Sequence, residues 1–141
     1  MADVHLKSGR EKSVLRHHPW IFSGAIASLS GEVEPGDTVE VISSDGRWLA
    51  RGAYSHNSQI TVRIWTWKEN EPIDTNFLHS RLRQSIISRQ HLSDSRISNA
   101  IRLVHGESDG LPGLIVDRYA DVAVLQYLSA GAEYWMGDIN R

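Results

Sequence analysis

A mainly β chain with some α is the fold class this sequence predicts: a small β-barrel or sandwich, then a helix, then a β-hairpin or meander. Three observations predict it. Short apolar-alternating runs recur between residues 38 and 65, separated by the turn signals Glu34-Pro35-Gly36-Asp37 and Ser44-Asp45-Gly46-Arg47. A single stretch, from about Thr75 to His91, instead repeats apolar residues every fourth position. Beyond Asn99 the alternation returns around the glycine-rich turn from Gly106 to Gly113.

The elements follow in order. Val4 to Lys7 suits a short strand, and Gly9 to Arg16 a helix of one to two turns that stops before Pro19. Thr38 to Ile42 alternates as a half-buried strand does, and Asp45-Gly46 accepts the positive φ of a tight hairpin turn. Trp48, Ala50, Gly52 and Tyr54 carry one face of the next strand, and Ile60, Val62 and Ile64 one face of the strand after it. Lys68-Glu69-Asn70-Glu71-Pro72 is polar and ends on proline, the composition of a short linker. Asp74 is placed to cap the following helix, whose face is Leu78, Leu82 and Ile86, with Arg81, Arg83 and Arg89 outside that stripe. Ile101 to Val104, Leu114 to Asp117 and Val122 to Gln126 read as three strands. Ala132, Trp135, Met136 and Ile139 then mark a helix face with no stop signal and nothing later to pack on, the pattern of a fragment. The expected organisation is a barrel over 1–70, a linker and helix over 71–98, and a hairpin segment with the start of a helix over 99–141.

Bulk composition narrows the classes. The 141 residues are 23% charged and 40% hydrophobic, within the globular range, and long enough to bury a core. There is no cysteine, so disulfides, thiolate metal sites and a cysteine nucleophile are excluded within this chain. With no membrane-length apolar run and no signal-peptide core, a cytoplasmic protein without a membrane partner is expected.

Charge is unevenly placed. Lys7, Arg10, Lys12 and Arg16 fall within ten residues against Glu11 alone, in a chain whose net charge is −2. Such a run is either a phosphate-tracking surface for nucleic acid or a solvated helix face, and charge alone does not choose. Five tryptophans are many for this length; Trp48 and Trp65 are expected in the barrel interior, and Trp20 is expected to anchor the basic helix to the barrel.

Catalytic constellations are weak. Glu107 and Asp109 invite an acid/base or metal reading, but between Gly106, Gly110 and Gly113 the acids are better placed to cap backbone amides. His17 and His18 are adjacent and point apart; the other histidines lack ligand spacing. No Gly-x-Gly occurs, and Ser13, Ser23 and Ser108 have no nucleophile-elbow context. No catalytic, cofactor-binding or metal-ligating residue is assigned.

Two long motifs go further. The run from Lys7-Ser8-Gly9-Arg10 through His17-His18-Pro19-Trp20-Ile21-Phe22-Ser23-Gly24-Ala25-Ile26 closely resembles the start of the bacterial RlmI-type methyltransferases. Arg102 to Tyr119, with His105-Gly106-Glu107-Ser108-Asp109-Gly110-Leu111-Pro112-Gly113 at its centre, resembles the same family further along. The resemblance runs from about Leu6 to the end of the chain. It implies an S-adenosylmethionine-dependent 5-methylcytosine methyltransferase of 23S ribosomal RNA, built from an RNA-binding PUA domain, a central β-hairpin segment and a Rossmann-like domain. The first two are expected here. The cofactor loop and the cysteine that attacks the cytosine ring are expected beyond Arg141, so this fragment should bind no cofactor and be inactive alone. The resemblance also gives the basic run its role: Lys7, Arg10, Lys12 and Arg16 as phosphate contacts, with Arg47 and Arg51 as secondary candidates. The Gly106 to Gly113 turn is expected to brace the hairpin against the absent domain. The implied partner is ribosomal RNA, with a homodimer left open. Two other functions stay in view: an enzyme using Glu107 and Asp109, and a non-catalytic RNA- or protein-interaction module whose docking face is Trp135, Met136 and Ile139.

Overall fold

A computed structural model describes residues 1–93 and 96–141, so positions 94 and 95 of the expected 71–98 segment lie outside the described residues. The chain divides into two units, Met1–Ile73 and Asp74–Arg141.

The first unit holds β1 (Ala2–Leu6), α1 (Glu11–Leu15), β2 (Trp20–Phe22), a 3-10 turn (Ser23–Ala25), β3 (Ile26–Ser30), β4 (Thr38–Ile42), β5 (Trp48–Tyr54) and β6 (Ile60–Thr66). The strands form one six-stranded sheet in the order β2-β6-β5-β4-β1-β3, with β1 and β4 parallel and every other pair antiparallel. Strands β2 and β3 stand at opposite edges, yet only Ser23–Ala25 joins them. The sheet must therefore curl to bring its two edges near each other, and Lys7 N–H, donating to Ala25 O (2.9 Å), prolongs the β1–β3 ladder at the start of β3. Inside the curl lie Val4, Leu6, Val39, Val41, Leu49, Ala50, Val62 and Ile64, with Val14 of α1 and Ile21 of β2 added from the flank. Each such Val, Leu or Ile side chain contributes about 1.5–3 kcal/mol by leaving water.

The alternation that predicts β4, β5 and β6 is this inward face. Gly46 at φ +86° makes the β4–β5 turn, and Ser43 N–H donates to Arg47 O (2.8 Å) across it. Strands β2 and β3 have no counterpart in the sequence reading. Strand β3 is exposed apart from half-buried Ile26, so it carries no two-residue apolar period to detect.

The second unit holds α2 (Thr75–Ser88), a 3-10 turn (Gln90–Leu92), β7 (Ala100–His105), a 3-10 turn (Gly106–Asp109), β8 (Leu114–Tyr119), β9 (Val122–Tyr127), α3 (Ala130–Tyr134) and α4 (Met136–Ile139). The three strands form an antiparallel meander in chain order. Asp74 caps α2 as expected, its Oδ1 accepting from Phe77 N–H at 2.8 Å. The buried face of α2 differs from the expected stripe. It carries Phe77, Leu78 and Ser85, while Ile86 is exposed. Ser85 is tolerated there because its hydroxyl donates to Leu103 O of β7 at 2.6 Å.

The C-terminal helix also differs. It breaks at Trp135 into α3 and α4, and it packs on an earlier element, α2. Asp138 fixes that contact, Oδ1 accepting from Thr75 Oγ1 (3.0 Å) and its carbonyl lying 3.0 Å from His79 Nε2. Ala132 and Ile139 are buried as expected, whereas Met136 is exposed.

Candidate nucleic-acid interface

Gly9, at φ +83°, turns the chain out of β1, and Arg10 N–H donates to Lys7 O (3.0 Å). Helix α1 follows and ends in a Schellman motif: His18 N–H reaches Ser13 O (3.0 Å) and His17 N–H reaches Val14 O (2.9 Å). The left-handed residue of that motif is His17, at φ +60°, where glycine is the usual choice. Pro19 then prevents the helix from continuing. His17 stacks on Trp67, ring centroids 4.7 Å apart, and Trp67 Nε1 donates to Val14 O at 2.9 Å. Trp67 therefore pins the basic helix to the barrel.

The cap, the helix and its lead-in hold Lys7, Arg10, Lys12 and Arg16 on one short segment, and all four are exposed. None of them forms an ion pair among the described residues. Glu11, the one acid in the run, is half-buried, with Oε2 shut away from water. The positive charge of the segment is thus uncompensated at the surface.

Arg47 and Arg51 stand apart from that segment. Arg47 lies in the β4–β5 turn, exposed but paired with Asp45 at 2.9 Å. Asp45 is held below the usual carboxylate range by the Ser43 hydroxyl first and by Arg47 second. Arg51 sits within β5 with its side chain 13% exposed. Its guanidinium bonds Glu40 (2.8 Å) and the carbonyls of Glu71 (2.6 Å) and Glu69 (3.3 Å). A phosphate would have to displace that whole set, so Arg51 acts as a brace between β4, β5 and the segment after β6. Trp48, expected inside, is half-buried and donates Nε1 to the same Glu40, whereas Trp65 is buried as expected.

Strand β2 carries what the sequence reading missed. Ile21 points into the core at 3% exposure, and its neighbours Trp20 and Phe22 face outward at 36% and 47%. The signal was present as a two-residue period with one apolar residue inward and two aromatics outward. A cleft of about 150 Å³ lies beside them, lined by Arg10, Ser13 and Val14 of the basic segment and by Trp20, Phe22 and Gly24 among others.

In the second unit, the Asp109 carboxylate is taken up by its neighbours. Asp109 is bound by Arg89 (2.9 and 3.0 Å) and accepts from His105 N–H (2.6 Å), the amide-capping role expected of it. The glycine-rich turn is braced inside its own unit, by Arg89 of α2 and by Ser129 before α3, whose Oγ donates to Pro112 O at 2.9 Å. Among the described residues no three His, Asp or Glu side chains gather as a metal set, and no helix is long and apolar enough to cross a membrane.

Residues 4–67 match the family model described as a PUA-like domain. The curled barrel is a PUA-like domain. Most of the chain, 129 residues, is also similar to curated proteins. Ribosomal RNA large subunit methyltransferase I of Salmonella arizonae is 51% identical over 129 residues, which is 92% of this chain and 32% of that protein. The protein of the same name from Escherichia coli is 52% identical over 129 residues, 33% of its length. The chain thus spans about a third of the length of these relatives and corresponds to their N-terminal portion. Among solved structures, a Streptococcus mutans protein assigned as a SAM-dependent methyltransferase superposes with a TM-score of 0.84 at 16% identity. It covers 99% of this chain and 36% of its own, and at that identity the likeness is one of fold.

Proposed function

We propose that this chain is the RNA-holding, substrate-positioning N-terminal part of a 23S ribosomal RNA cytosine-5 methyltransferase, inactive by itself. The observation that carries the reading is the uncompensated segment Lys7, Arg10, Lys12 and Arg16 on a PUA-like barrel, within a chain 51% identical to large-subunit methyltransferases. An enzyme that modifies one base of a large folded RNA needs a second grip on that RNA while the base is extruded. Contacts to phosphates supply such a grip without reading sequence. Arg47 is a secondary contact, since its exposed partner Asp45 is easily exchanged for a phosphate. The cytoplasm, where ribosomal RNA is modified, is the compartment this reading implies, and RNA its partner.

S-adenosylmethionine belongs to the portion of the parent enzyme outside this chain. A second reading, a protein-interaction module or homodimer, is favoured by exposed Tyr134 and Met136 on α3 and α4.

Fluorescence anisotropy with a structured fragment of ribosomal RNA separates the two. The folded Arg10→Glu/Lys12→Glu/Arg16→Glu variant should lose most RNA binding. Undiminished binding would remove the basic segment from the RNA interface.

A further inference from the structure

Resting on the RNA-binding reading, we infer that His18, Trp20 and Phe22 form a stacking platform that takes one unpaired base of the RNA while the basic segment beside it holds the phosphates. Trp20 and Phe22 stand two apart on the outer face of β2, the edge strand of the sheet, and His18 lies two residues before Trp20 in the lead-in to that strand. The Trp20 ring meets His18 edge-on at 6.0 Å and Phe22 edge-on at 6.4 Å. The platform is stiff: Pro19 precedes Trp20, His18 Nδ1 lies 3.3 Å from the Trp20 N–H, and Ile21 between the rings is locked in the core. Trp20 and Phe22 keep 36% and 47% of their surface in water on a strand whose inward position is filled by Ile21.

The neighbouring cleft gives the platform a boundary. Its volume of about 150 Å³ is lined by Trp20, Phe22 and Gly24 on one side and by Arg10 and Ser13 on the other. A cavity of about that size holds a single six-membered ring. A base resting on Trp20 therefore has a ring-sized recess beside it, and its own phosphate falls on the side of Arg10. A protein strand adding to the β2 edge would ignore this charge. A polyanion carrying exposed π-faces uses both the rings and the cations, which is why the observations favour single-stranded RNA. A paired base cannot present its face to the platform, so the ligand class is a nucleotide in a loop, bulge or end.

The test uses the full chain and two RNAs of equal length and charge, a hairpin with a pyrimidine loop and a blunt duplex. Wild type should bind the looped RNA more tightly. Trp20→Ala should weaken looped-RNA binding by roughly 5- to 100-fold while leaving duplex binding and its salt dependence unchanged. Phe22→Ala is an independent second variant should Trp20→Ala fail to fold, and it should act in the same direction. If folded Trp20→Ala and Phe22→Ala bind both RNAs as wild type does, or lose both equally, the platform is overturned. In that case a loss of binding in the Arg10→Glu/Lys12→Glu/Arg16→Glu variant would leave the RNA-holding reading standing. Wild type that binds neither RNA overturns both.

Discussion

Asp117 illustrates how far a single pair reaches. Its carboxylate accepts two bonds from Arg102, at 2.8 and 3.1 Å, across the β7–β8 ladder. Those bonds hold the Asp117 carboxyl below its usual range. A carboxylate favoured in the folded state stabilises the fold fully above its unfolded pKa of about 4 and loses that contribution as pH falls through the folded value. The expected result is that Asp117→Asn declines less steeply in stability than wild type between pH 5 and about pH 2. Acid titration followed by circular dichroism checks this, and parallel curves would show that the pair is fully screened. At this scale the sequence was read unevenly. Asp74 as a cap and Asp109 as an amide acceptor were legible because they act on neighbours in the chain. The partners of Arg51 and Trp67 were not, since Glu40 faces Arg51 only through the register of the β4–β5 pair, and Glu71 and Val14 come from segments distant in the chain.

Between elements, β5 approaches β6 closely at Gly52. A Cβ built on Gly52 would stand 2.6 Å from Arg63 O and 2.7 Å from Val62 Cγ1, both parts of the core ladder. A β-bulge between Arg51 and Gly52 accompanies this contact. Gly52→Ala should therefore cost roughly 1–3 kcal/mol through forced separation of the two strands. Urea unfolding is expected to show a lower midpoint with an unchanged slope; an unchanged midpoint would mean that the strands part without cost. Strands with one inward face, such as β4 and β6, declare themselves in the sequence by period. Strand β3 does not, because it is nearly all exposed, and β2 offers only the three residues of a single alternation. The rotation of α2 away from Ile86 toward Ser85 was also hidden: a buried serine is acceptable only because Leu103 O lies opposite its hydroxyl.

For the whole molecule, the fold class was legible from turn chemistry and alternation, and the proposed RNA-binding role rests on the motif around α1. What the sequence left open was which cations are free. Six were candidates, and the structure divides them by partner: Arg51 is enclosed by acceptors, Arg47 shares a carboxylate, and Lys7, Arg10, Lys12 and Arg16 have no ion-pair partner among the described residues. The central claim is that these four meet RNA phosphates, and counterion release makes it measurable. The most direct measurement is the affinity of the full chain for structured ribosomal RNA across a salt series. The account predicts that log K falls against log salt with a slope of about −2 to −3, three or four contacts at roughly 0.7 to 0.9 each. A slope near zero would contradict it and leave the basic segment a solvated face.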